Sequence, residues 1–65
     1  MVLHINELSG NTAKFAQYCV EQCSVIDLVS FTRDGIDYDM CYKWGINGEQ
    51  WQDAVFVALK TLSGK

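Results

Sequence analysis

Cys19 and Cys23 are four residues apart, the spacing that sets two side chains on one face of a helix. With Cys41 and His4, the single histidine, they supply the atoms of a Cys3His zinc set. The C-x-x-x-C spacing is not that of a usual zinc knuckle. Buried cysteines commonly pack as small hydrophobes. Both residues fall on the apolar stripe of the helix expected around them. Core packing is therefore the favoured reading, a small structural zinc domain is an alternative, and no metal or cofactor is expected.

The second group that could do chemistry is acidic. Asp34, Asp37 and Asp39 lie within six residues of one another. On an extended chain Asp37 and Asp39 share a face about 7 Å apart, at roughly 3.4 Å rise per residue. Such charge suits a basic partner surface and, less readily, a divalent cation. A plain solvated strand face accounts for it as well.

Catalytic patterns are missing. No serine or cysteine stands in a nucleophile motif. Ser9-Gly10-Asn11-Thr12-Ala13-Lys14 lacks the second glycine that a phosphate-binding loop places before its lysine. There is no dinucleotide fingerprint, and a chain of 65 residues has little room for a pocket of several hundred Å3. The expectation is a non-enzymatic protein.

The elements that must position these residues follow from turns and periodicity. Asp34-Gly35 is a preferred pair for a two-residue type I′ turn. A hairpin across it sets Phe31 against Tyr38, Val29 against Met40 and Val25 against Trp44 on one apolar face. Thr32 with Asp37, Ser30 with Asp39, Leu28 with Cys41 and Ile26 with Lys43 then form the other face. Asp27 is the misfit, a carboxylate on the apolar side opposite Tyr42 that needs a hydrogen bond or a bulge.

Val2 to Asn6 alternates weakly and reads as a first strand. Ser9 or Asn11 caps a helix running to about Cys23, with Phe15, Ala16, Cys19, Val20 and Cys23 on its apolar stripe and Lys14, Gln17 and Glu21 opposite. Gly45-Ile46-Asn47-Gly48 ends the hairpin. Asn47 and Gln50 resemble a capping box for a second helix that runs to about Leu62, with Gly64 as a left-handed stop. Trp51, Ala54, Val55, Ala58, Leu59 and Leu62 form its inward arc. The expected fold is α+β, a single domain over residues 1–65. Its order is β-α-β-β-α, a two-layer sandwich with a three-stranded sheet and two helices on one face.

Size and charge narrow the function. A chain this short hides only about 60% of its unfolded surface and is marginal alone. Five basic against eight acidic residues leave a net charge of −3, and the basic residues are scattered. Binding along a phosphate backbone wants the opposite. A nucleic-acid-associated module stacking bases on Tyr38, Tyr42 or Trp44 is therefore an alternative reading only. No stretch approaches the roughly 20 apolar residues of a membrane span. The absence of a basic leader and the odd cysteine count point to a cytoplasmic protein with reduced thiols.

Two surfaces exceed what one small core requires. Phe56 and Val57 lie on the far side of the second helix, opposite its inward arc. Ile26 and Leu28, with Cys41, sit on the sheet face that no helix covers. The expectation is a homodimer that binds or inhibits a protein partner through Phe56, Val57, Ile26 and Leu28, with Asp34, Asp37 and Asp39 meeting a basic surface. By general analogy, compact acidic chains of this kind serve as small regulators, including ones carried by phages and mobile elements.

Overall fold

Ser24 and Asp27 decide the middle of the chain. In the computed structural model, which describes Leu8 and residues 10–64, the Ser24 hydroxyl accepts from the Asp27 N–H at 3.2 Å. The Asp27 carboxylate accepts from the Ser24 N–H at 3.1 Å. This reciprocal pair is a capping box, and it opens a helix where a strand was expected. Asp27 is no misfit here: its carboxylate accepts from the Ser24 N–H and sits at the positive end of the helix.

The described elements are four helices: α1 Gly10–Gln22, α2 Val25–Asp34, α3 Tyr38–Trp44 and α4 Gly48–Ser63. There is no strand among the described residues. The α+β sandwich is thereby overturned in favour of an all-α fold. The expected first strand, Val2 to Asn6, lies outside the described residues. The expected hairpin strands are α2 and α3 instead. Val25, Ile26 and Val29 suggested a strand because branched side chains lose rotamer freedom in a helix. That penalty is at most about 0.7 kcal/mol per residue, and a capping box with buried Leu28 outweighs it.

Gly35 still takes a positive φ of 94°, but as the residue that stops α2. Asp34 remains helical, whereas a type I′ turn needs positive φ at both central residues. Three residues later the chain starts again: Asp37 caps α3 by accepting from the Met40 N–H at 3.1 Å.

Gly45 ends α3 in the left-handed region at φ 68° and ψ 39°. Its N–H bonds back to Tyr42, and the Ile46 N–H reaches the Cys41 carbonyl at 2.9 Å. These are the two bonds of a Schellman stop, and Ile46, the residue after the glycine, is buried with Cys41. Asn47 then caps α4. It accepts from the Gln50 N–H at 2.7 Å and donates its own N–H to the Gln50 side chain at 2.8 Å. Gly64 follows α4 at φ −80°, not as the expected left-handed stop, and its N–H bonds to Lys60.

α4 is the central element, packed along α1 and α2 and touching α3. Its arc is the one expected: Trp51, Ala54, Val55 and Ala58 are buried, with Leu59 and Leu62 half-buried. α1 answers with Phe15, Ala16 and Cys19, and Lys14, Gln17 and Glu21 face out. α2 contributes Leu28, and α3 contributes Cys41. Trp44, expected opposite Val25, instead meets Phe15 with ring centroids 5.4 Å apart and Tyr18 at 5.3 Å. Phe31, expected opposite Tyr38, packs on Trp51 at 6.0 Å. The Trp51 indole N–H is buried with no hydrogen-bond partner among the described residues. That costs about 1–3 kcal/mol, which the packing must offset.

Candidate interaction surfaces

The change from strand to helix rearranges the surfaces expected on the hairpin by one rule. Residues two apart share a face of a strand, but stand about 200° apart on a helix. Ile26 and Leu28 are separated in this way. Leu28 is fully buried against the core, while Ile26 is 77% exposed. Leu28 is thus removed from the expected docking surface, and Cys41 is buried as well.

What joins Ile26 is a different pair. Val25 and Val29, four apart, stand beside it on the outward side of α2, 39% and 42% exposed. Arg33, one further turn along, is exposed in the same direction. The stripe Val25–Ile26–Val29–Arg33 spans about 100° of the helix. A hairpin would turn Val25 and Val29 inward and leave no such surface. The signal was present as the i, i+1, i+4 spacing of three aliphatic residues after Ser24.

On α4, Phe56 is 48% exposed and Val57 is half-buried against the core. Phe56 stands among exposed Glu49, Gln52 and Lys60, as the wheel places it. On α3, Tyr38 and Tyr42 are four apart and both turned outward, Tyr42 at 91%. On the expected hairpin both rings would point inward.

The acidic residues do not form a shared face. Asp34 is the exposed last residue of α2, and Asp39 is exposed in the first turn of α3. The Asp37 carboxylate is occupied by its own helix cap. All three are exposed around the α2–α3 connection. Negative charge remains concentrated there, without the paired geometry a strand would have provided.

The cysteines are likewise apart. Cys19 and Cys23 lie one helical turn from each other, with the Cys23 N–H bonded to the Cys19 carbonyl at 3.0 Å. Cys41 sits on α3, its thiol directed at the Asn47 carbonyl at 3.7 Å. Among the described residues no three His, Cys, Asp or Glu side chains converge as a metal site. His4, the fourth member of the expected set, lies outside the described residues. Burial, with the neighbouring Cys23 adding to it, pushes the Cys19 thiol up to about 12. Burial also raises Cys23, helped by Asp27, and Cys41, helped by Asp37. All three are protonated at neutral pH, which suits packing better than nucleophilic attack or metal ligation.

No helix among the described residues is long and apolar enough to cross a membrane. Comparison with family models, curated proteins and solved structures found no match.

Proposed function

We propose that this chain is a small non-enzymatic interaction module that self-associates and regulates or inhibits a protein partner. The observation that carries this is the outward stripe of α2, with Ile26 almost bare between half-exposed Val25 and Val29. Single exposed hydrophobes are ordinary on a protein surface; three adjoining aliphatic side chains on one face are less so. A short chain also gains more than a large one from burying surface in a partner. Phe56, on a separate face, gives a second anchor for a different protein. The acidic α2–α3 connection favours a basic partner surface.

Sedimentation of the intact chain from micromolar to millimolar concentration tests the reading. The expected result is a dimer of the 7.4 kDa chain that Ile26→Glu converts to monomer without loss of helical signal. Phe56→Asp should leave the dimer intact and abolish capture of the partner protein. A wild-type chain that stays monomeric throughout would remove the self-association half.

One observation favours a second reading. Tyr38 and Tyr42 offer aromatic faces to solvent, as a base-stacking surface does. Asp37 and Asp39 beside them, and the net charge of −3, oppose a phosphate backbone. The expected outcome of a low-salt mobility shift with single-stranded nucleic acid is no binding.

A further inference from the structure

The α2 stripe is apolar in its middle and charged at one end. Val25, Ile26 and Val29 form the centre, and Arg33 lies one turn beyond Val29. The acids of the same helix, Asp27 and Asp34, are turned roughly 140° or more from Val29. The stripe itself therefore carries no negative charge, although the molecule does.

The opposite end of the stripe is the α1–α2 junction. Glu21 is exposed there in the last turn of α1, which contains no basic residue. A carboxylate at a helix C-terminus adds to the negative end of the helix dipole instead of offsetting it. Its hydrogen-bond partner among the described residues is the neutral amide of Gln17. This end of α1 lacks a cation, and Arg33 is the cation of the apolar stripe.

We infer that two copies of this chain pair through α2 in antiparallel fashion about a two-fold axis, with Arg33 of each copy docked at the Glu21 end of α1 in the other. This rests on the reading of the chain as self-associating and names the surface and its register. Setting Val25 and Ile26 of one copy against Val29 of the other fixes the helices lengthwise. Arg33 then passes Ser24 of the second copy and reaches the junction where Glu21 lies. A parallel pairing would bring Arg33 against Arg33 and like dipole ends together. The antiparallel pairing joins unlike ends and closes on itself, as an isologous interface does. At ten residues α2 is about 15 Å long. The contact therefore lies at the small end of interfaces, and micromolar concentration is the range to examine.

The test is a charge exchange read by sedimentation and native mass measurement of the full chain. Circular dichroism of each variant serves as the check on folding. Arg33→Glu and Glu21→Arg should each weaken the dimer about tenfold, since two symmetry-related pairs of rim charges are lost at once. The double variant R33E/E21R should recover dimerisation to within about threefold of wild type, a rescue that a merely structural role for either residue would not give. Suppose the wild type dimerises and Ile26→Glu abolishes it, yet the exchange gives no rescue. The antiparallel register is then overturned while self-association stands. Should Ile26→Glu leave the dimer unchanged, the contact lies elsewhere and the α2 pairing is overturned outright. A wild-type chain that remains monomeric at every concentration ends both the inference and the reading beneath it.

Discussion

Leu28 and Ile26 are two residues apart and chemically alike, yet they have opposite consequences for the molecule. Leu28 is buried on all sides, so truncation removes several methyl and methylene groups and leaves a cavity. Leu28→Ala should destabilise the fold by about 2–5 kcal/mol. The same truncation at Ile26 should cost less than about 0.5 kcal/mol in the isolated chain, because it faces water. Urea unfolding of the two variants at low concentration measures the contrast. A strand at this place would invert or equalise the two values, since both residues would then share one face.

At the scale of elements, what holds the chain in four pieces is its set of starts and stops. Three helices begin on a side-chain cap: Ser24, Asp37 and Asn47. Asn47 with Gln50 was legible because an apolar helical pattern follows it for several turns. Ser24 with Asp27 has the same chemistry. It is masked because Val25 to Phe31 satisfies a strand period too. Gly45 is the stop with a neighbour in the way of a side chain. A methyl group there would meet the Asn11 side-chain nitrogen at 2.9 Å, and its φ of 68° is strained for any other residue. Gly45→Ala should cost about 1–2 kcal/mol from the left-handed backbone alone. The thermal midpoint should fall accordingly, and further still to the extent that the Asn11 side chain cannot move aside. A loss in Gly45→Ala no greater than about 1–2 kcal/mol would show that the contact with Asn11 contributes nothing.

For the whole molecule, the buried thiol of α1 couples folding to alkaline pH. Cys19 titrates near 12 in the folded protein against about 9 for a free thiol, because burial disfavours the thiolate. The folded state therefore holds its proton longer than the unfolded state does. This contribution is fully present below about pH 9 and is lost as pH rises from there toward 12. Stability measured by denaturant titration should fall over that window, and Cys19→Ala should flatten the fall. An unchanged slope in the variant would assign the alkaline sensitivity to other groups. The same burial explains why the three cysteines read as packing residues. Cys19 and Cys41 each join the core that α4 organises, on different helices.

The sequence by itself determined α1 and α4 and the faces they turn inward. Each carries an apolar stripe at helical spacing over three or more turns, and only one period fits such a length. It also placed Phe56 outside, since that follows from the same wheel. The middle of the chain was decided by tertiary structure. α2 and α3 are ten and seven residues long, too short to be stable helices alone. Over so few residues a period of two and a period of 3.6 can both be satisfied. Docking chose between them: Leu28 and Phe31, three apart, can be buried on the same side only when the segment is helical, and Trp44 packs on α1. That choice moved Leu28 inward and brought Val25, Ile26 and Val29 together on the outside.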